Sequence, residues 1–171
     1  VALAAGARDL GPEQAAELVW GYGVGLDLTR RDLQAQAKAE RHPWDAAKGF
    51  DHSAPVSALC PASSAEPGPE TVISLQVNGE LRQQSALAEM IFSVPELLSH
   101  LSTLFELRPG DLLFTGTPAG VGPLQRGDRF HAELTATVPP LGRLFCPRSP
   151  LRLPRLSPSF PHPAAVPFSS V

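Results

Sequence analysis

Asp27 is the residue whose type and setting most directly suggest chemistry. It is an isolated acid in the otherwise apolar run 24–28, and Arg30 and Arg31 follow it closely. A buried carboxylate is costly unless a cation or hydrogen-bond donors satisfy it, so the first question is what Asp27 faces. A carboxylate beside glycines at a strand end suits Mg²⁺ or Mn²⁺, which bind oxygen donors. An ion pair with Arg30 or Arg31 explains the same residue, and on Asp27 alone we favour the ion pair.

Three polar side chains follow Asp27 closely enough in sequence to share a pocket with it. Arg31 and Gln34 are three residues apart, which places them on one face of a helix. Lys48 lies among small and apolar residues, where a partly buried lysine can hold an anionic substrate. Two alternatives stay open. The helix face can be solvated, with Arg31 paired to Asp27 or Asp32, and Lys48 can be a surface lysine before a turn.

The segment 116–122 (GTPAGVG) is a second candidate site, and it begins with Gly116, Thr117 and Pro118. Its backbone N–H groups and the Thr117 hydroxyl suit a carboxylate or enolate oxygen. It lacks the Gly-Lys-Ser/Thr ending of a phosphate loop and does not match GxGxxG. A plain turn between strands is the alternative. A Ser-His-acid triad is not supported, because no serine lies in a nucleophile elbow.

Length, composition and net charge limit the class of protein to which this chain can belong. The 171 residues suffice for one domain with a substantial core, and the composition is globular, with 43% hydrophobic and 18% charged residues. No long apolar run could span a membrane, and a net charge of −3 gives no reason to expect nucleic acid or a membrane as partner. Cys60 and Cys146 lack metal-ligand spacing and are typical of reduced thiols. The first residues lack the features of a signal peptide and resemble the end of a strand, so we expect a fragment of a longer chain.

The elements that must position these residues can be predicted from local patterns. Thr29 is expected to cap a helix that runs to about residue 40, and Ser93-Val94-Pro95-Glu96 is a full capping box before a second long helix. Asn78-Gly79 is a strong hairpin signal. The remaining predictions are a helix over 12–19 and strands over 21–28, 72–77, 80–84, 112–115 and 129–136.

The composition changes after residue 138. Residues 139–171 contain nine prolines and four arginines but no Asp or Glu. Such proline density opposes both helix and interior strand. We therefore predict a domain over 1–138 and a disordered Pro/Arg-rich tail over 139–171. A proline-rich ligand at 147–150 and a shifted reading frame are the alternatives for this tail.

Six blocks of this sequence, in order and with consistent spacing, resemble the fumarylacetoacetate hydrolase family, and within it the acylpyruvate hydrolases that include fumarylpyruvate hydrolase. The match runs from about Gly21 to Leu134, about two thirds of the chain. The blocks are GYGVGLDLTRRDLQ, PWDAAKGFDHSAPVS, VNGELRQ, MIFSVPELLSHLS, RPGDLLFTGTPAGVG and QRGDRF.

The resemblance implies an α+β fold, a mixed β-sandwich roll that is truncated here at the N-terminus. It implies Mg²⁺ or Mn²⁺ held by a Glu-x-Glu pair and by an Asp that corresponds to Asp27. Lys48 and Gln34 would be the catalytic residues that orient water or substrate. The substrate-binding residues would be Arg31, Gly116, Thr117 and Pro118. The implied reaction is hydrolysis of a C–C bond in a 1,3-diketo acid, with release of pyruvate, by a homodimer.

Two departures from the family pattern shape the expectation for this chain. The Glu-x-Glu pair would lie before Val1, so we expect the 171-residue chain to bind metal poorly and to show little hydrolase activity. The alternatives are a catalytically silent scaffold or dimer partner, an oxaloacetate decarboxylase and a dienoate isomerase. We expect a cytoplasmic location, with a mitochondrial one left open. The other departure is the tail, in place of the family's closing strand.

Overall fold

A computed structural model of the protein describes residues 1–135, 142–145 and 166–167. The helices are α1 (Pro12–Ala16), α2 (Arg31–Glu40), α3 (Asp45–Lys48) and α4 (Val94–Leu104), with a short 3-10 helix at Leu87–Glu89. The strands are β1 (Ala2–Leu3), β2 (Val19–Tyr22), β3 (Cys60–Pro61), β4 (Val72–Val77), β5 (Glu80–Ala86), β6 (Pro123–Leu124), β7 (Phe130–Thr135), β8 (Gly142–Phe145) and β9 (Val166–Pro167). Among the described helices, none has the length and apolar character needed to cross a bilayer.

The largest sheet is antiparallel, with the strand order β5-β4-β7-β8. The predicted strand over 72–77 and the hairpin that follows it are confirmed. Asn78 and Gly79 form its turn with φ of 54° and 84°, the left-handed values that tight hairpin turns require. β7 also pairs with β4 along its whole length, from Val72 opposite Thr135 to Val77 opposite Phe130. Residues of β4, β5 and β7 in this sheet also line the cleft described below.

The main core lies between one face of this sheet and the segment 24–28. Alternate residues of β4 and β7 point inward, as the period of 2 in a half-buried strand requires. The buried members are Val24, Leu26, Leu28, Leu75, Val77, Leu124, Phe130, Ala132 and Leu134. Asp27 lies between the buried Leu26 and Leu28, so packing of these two neighbours holds the Asp27 backbone against the sheet.

The predicted strand over 21–28 is only partly correct. The regular strand is Val19–Tyr22, in a second sheet with the order β1-β2-β3. Beyond it the chain stays extended and bonds to 53–57, where the Leu26 N–H donates to the Pro55 carbonyl at 3.0 Å. Only one isolated bridge forms there, Gly25 opposite Val56. A regular ladder fails because Pro55 has no N–H to donate.

Helix α2 does not begin as predicted. Its N-cap is Arg30, not Thr29, and no side chain caps it. The Thr29 side chain is fully buried, and its hydroxyl makes no hydrogen bond. The reason is tertiary: the Arg30 N–H donates to the Ala47 carbonyl at 3.0 Å, so the chain is held against α3 before the helix starts. The predicted end is confirmed, with Arg41 in the left-handed region at φ 57°.

A smaller core joins α1 to α4 through Leu3, Ala15, Leu18, Leu98 and Leu107. The Ser93 capping box is confirmed, and it starts α4 as predicted. α1 ends at Ala16, earlier than the predicted 19, because β2 already begins at Val19. The predicted strand over 112–115 is wrong. Leu112 makes only an isolated bridge to Ala2, since the facing strand β1 has just two residues.

Strand β8 extends the large sheet past the predicted domain boundary at residue 138. Gly142 to Phe145 pair antiparallel with β7 from Leu134 to His131. The large sheet therefore includes residues 142–145, which their proline-rich surroundings had led us to assign to the tail. Apart from β8 and β9, which pairs with β6, the predicted tail 139–171 and Cys146 lie outside the described residues.

Candidate active site

Asp27 is ion-paired with Lys48. The Lys48 Nζ donates to the Asp27 Oδ2 at 2.7 Å, and the two side chains are 23% and 28% exposed. An ion pair does satisfy Asp27, as the residue type alone suggested. Its partner is Lys48, 21 residues further along the chain, rather than an adjacent arginine. Arg30 instead places its guanidinium 4.4 Å from the centre of the Phe50 ring. The Arg30 N–H donates to the Ala47 carbonyl, and this bond joins α3 to the chain just after the segment that carries Asp27.

The segment 116–122, which we call the cleft loop, contributes its first three residues to an open cleft that Asp27 also lines. The cleft has about 400 Å³ of empty space, which includes space open to solvent. Its lining residues are Val24, Gly25, Leu26, Asp27, Ile73, Ser74, Leu75, Gln83, Gly116, Thr117, Pro118 and Ala132. The walls are mostly apolar with a few polar groups, which is the usual character of a small-molecule site.

Four of the seven predicted site residues line this cleft, namely Asp27, Gly116, Thr117 and Pro118, and the other three are not among its lining residues. Arg31 and Gln34 are on one face of α2 as predicted, and the Arg31 guanidinium donates to the Gln34 Oε1 at 2.6 Å. Gln34 is buried, which excludes the fully solvated helix face. Lys48 is linked to the cleft through Asp27. Their roles in catalysis or binding remain predictions.

Gln83 is a cleft residue that the sequence analysis missed. It is 5% exposed, and its Nε2 donates to the Pro118 carbonyl at 2.6 Å. Gln83 stands opposite Leu75 in the β4–β5 ladder and therefore shares the inward face of the sheet. Regular pairing across the predicted hairpin would have placed Arg82 opposite Leu75, but an irregularity between Leu75 and Gln76 shifts the register and brings Gln83 there instead. Alternation in the sequence therefore could not have identified Gln83.

The described residues do not complete a metal site. Asp27 supplies an oxygen donor of the type that Mg²⁺ and Mn²⁺ prefer. Within the part of the chain that the structure describes, however, no three His, Cys, Asp or Glu side chains are grouped closely enough to hold an ion. Since Lys48 already bonds the Asp27 carboxylate, this donor set alone does not fit a tightly held divalent cation.

Comparison with known proteins identifies the class to which this fold and cleft belong. The family model described as fumarylacetoacetate (FAA) hydrolase C-terminal matches residues 1–146. The chain therefore belongs to the fumarylacetoacetate hydrolase family. The family match also extends to β8, past the predicted boundary at 138.

Two individual relatives, whose names refer to different reactions, are similar to the chain. The chain is 46% identical over 138 residues to oxaloacetate tautomerase YcgM of Escherichia coli (strain K12), covering 80% of this chain and 61% of the relative. It is 41% identical over 136 residues to the fumarylpyruvate hydrolase of a Ralstonia species, covering 75% of this chain and 69% of the relative.

A solved structure gives the same result for the fold. Fumarylpyruvate hydrolase from Pseudomonas aeruginosa, in complex with Mn²⁺ and pyruvate, matches with a TM-score of 0.78 and 50% sequence identity. The match covers 84% of this chain and 60% of that one. The predicted α+β fold of this family is confirmed. The chain spans about 60% of the length of the E. coli and P. aeruginosa proteins.

Proposed function

We propose that this chain carries the substrate-binding part of an enzyme that hydrolyses a C–C bond in an acylpyruvate-type 1,3-diketo acid and releases pyruvate. One observation carries the proposal: Asp27, itself paired with Lys48, and the cleft loop with Thr117 line the same cleft. A cleft lined by a loop rich in donors and by a carboxylate that holds a cationic partner suits a small dicarbonyl acid. The similarity to proteins named fumarylpyruvate hydrolase supports this substrate class.

Each candidate residue can be given a separate role in this reaction. Thr117 and the backbone N–H groups of the cleft loop would bind the substrate carboxylate. The Lys48 ammonium would stabilise the negative charge that develops on the enolate oxygen as the C–C bond breaks. Gln34, oriented by Arg31, would position the water that adds to the distal carbonyl. The electron pair of the broken bond then takes a proton and gives pyruvate, while the other fragment leaves as a carboxylic acid.

A divalent cation belongs to this proposal, with Mn²⁺ supported by the P. aeruginosa relative and Mg²⁺ as the other candidate. Asp27 would be one of its ligands. The described residues supply only part of a ligand set for it. A homodimer is likewise part of the proposal for the intact protein.

Enol–keto tautomerisation of oxaloacetate is a second candidate, and the identity with the E. coli tautomerase favours it. Both reactions pass through an enol or enolate beside a carboxylate, so the same cleft could serve either. They differ in whether water adds to a carbonyl. Oxaloacetate decarboxylation, dienoate isomerisation and a silent partner role are the remaining alternatives.

The deciding experiment compares two proteins. One is the 171-residue chain, and the other is a version extended upstream by a Glu-x-Glu strand of the family type. Each is mixed with Mn²⁺ and fumarylpyruvate, and pyruvate is quantified with lactate dehydrogenase. In parallel, the enol absorbance of oxaloacetate is followed. We expect pyruvate release from the extended version. Tautomerisation without pyruvate release would favour the second candidate, and neither reaction would overturn the proposal.

A further inference from the structure

Gln83 links the large sheet to the cleft loop. Its side chain is buried, although an amide is polar, and its Nε2 lies 2.6 Å from the Pro118 carbonyl oxygen. A carbonyl oxygen can only accept, so the nitrogen of the amide must be the atom that faces Pro118. The bond joins residues 35 positions apart in the sequence. It therefore fixes tertiary position and not only local backbone geometry.

A second contact joins the same strand to the same loop. Gly120 has φ of +98°, and a β carbon there would lie 1.9 Å from the Arg82 carbonyl oxygen. The loop backbone thus approaches β5 more closely than any side chain would allow. Two adjacent residues of β5 hold two points of the cleft loop, and Thr117 immediately precedes the first of them.

The segment 24–27, which also lines the cleft and which we call the Asp27 wall, packs against the same sheet. Gln83 pairs with Leu75 of β4, and Leu75 belongs to the core that includes Leu26 and Leu28, the neighbours of Asp27. The Asp27 wall and the cleft loop are therefore connected through packed and hydrogen-bonded structure. The Gln83–Pro118 bond is a side-chain contact in that connection, and it lies next to Thr117 in the sequence.

We propose that Gln83 is a positioning residue that sets the distance between the cleft loop and the Asp27 wall, and that it thereby controls affinity for the substrate carboxylate. This inference rests on the proposed function for its consequence on binding. Its structural part, the restraint of the cleft loop, stands separately.

The test pairs Gln83→Met with Gln84→Met. Methionine keeps the length of the side chain and its burial but cannot donate to Pro118. Gln84, the next residue of β5, is exposed, so its variant repeats the same chemical change on the outer face. The first measurement is amide hydrogen exchange by mass spectrometry on peptides covering 112–122 of the 171-residue chain. We expect about tenfold faster exchange in Gln83→Met and unchanged exchange in Gln84→Met.

The second measurement separates binding from chemistry in the version extended with the Glu-x-Glu strand. Losing a contact that holds substrate and transition state equally raises KM and leaves kcat unchanged. We expect Gln83→Met to raise KM about tenfold, with kcat within about twofold of the unsubstituted protein. A merely structural role would lower the amount of active protein and hence the apparent kcat.

The outcomes separate this inference from the proposed function. Unchanged exchange in Gln83→Met overturns the restraint, and faster exchange with an unchanged KM overturns the control of affinity. An inactive extended protein counts against the proposed function, while the exchange experiment still decides the restraint. Should Gln83→Met not fold, Gln83→Asn takes its place, because its amide is one methylene too short to reach Pro118 and should also free the loop.

Discussion

The ammonium nitrogen of Lys48 lies 2.7 Å from the Oδ2 of Asp27 and joins α3 to the extended segment before α2. Both side chains are less than one third exposed, so water screens this pair less than it screens a surface pair. Each group satisfies the other in a partly buried setting. Removing either one leaves the other as an uncompensated charge beside the cleft.

Lys48→Met should affect catalysis much more than folding, because the partly exposed Asp27 carboxylate can be hydrated once its partner is lost. We expect kcat for pyruvate release in the extended version to fall about 100-fold, since the role proposed for the Lys48 ammonium is to stabilise the enolate. Stability should fall by only about 1 kcal/mol, because the pair still has access to water. Enzyme kinetics and thermal unfolding measure the two effects. The matched control is Lys38→Met, on the exposed face of α2, which should change neither; equal kinetics in the two variants would contradict the role of Lys48.

The 171-residue chain should bind Mn²⁺ weakly. Its cleft contains the Asp27 carboxylate, already bonded to Lys48, and the described residues contain no cluster of three ligating side chains. Because affinity for such ions comes from several charged oxygens arranged together, we expect a dissociation constant of about 1 mM. Titration followed by electron paramagnetic resonance of free Mn²⁺ gives this value directly. Asp27→Asn should weaken the residual binding further, whereas micromolar binding by the unsubstituted chain would contradict the prediction.

Local signals in the sequence predicted the elements whose geometry is decided locally. Asn78-Gly79 specifies its own turn, because both residues adopt positive φ there. Ser93 and Glu96 bond reciprocally within four residues, so the start of α4 could be predicted without knowing its surroundings. These elements form the scaffold of the site and do not themselves define its chemistry.

Prediction failed where distant backbone decided the outcome. Thr29 has the right type for a helix cap, but the bond between Arg30 and Ala47 moves the start of α2 by one residue. The partner of Asp27 was sought among adjacent arginines, whereas tertiary docking of α3 supplies Lys48. Residue types and spacing marked Asp27 and Thr117 as separate candidates, but only the family resemblance assigned them to one site, because no local pattern places them in one cleft.

Gly120→Ala should destabilise the protein and disturb the cleft loop together. At φ of +98° an alanine is strained, and its β carbon would meet the Arg82 carbonyl at 1.9 Å. We expect a loss of about 2 kcal/mol in the free energy of unfolding, measured by urea denaturation. Gly122→Ala is a close control in the same loop, since a β carbon there meets nothing within 4 Å. Equal effects of the two substitutions would show that the close approach of Gly120 to β5 does not restrain the loop.

The capping box of α4 should make part of the stability depend on pH. The Glu96 carboxylate accepts hydrogen bonds from the Ser93 hydroxyl and the Ser93 N–H, both at 2.7 Å, and these bonds lower the pKa of Glu96. A pKa that is lower in the folded state contributes stability above the unfolded value, near 4.5, and this contribution is lost as the pH falls through the folded value. Glu96→Gln should thus be less stable than the unsubstituted protein at neutral pH, with the gap narrowing below about pH 4. Urea denaturation at pH 7 and at pH 3.5 measures the gap, and Glu70→Gln, at an exposed acid before β4, is the control. A gap that stays constant between the two pH values would show that the carboxylate charge does not contribute to the cap.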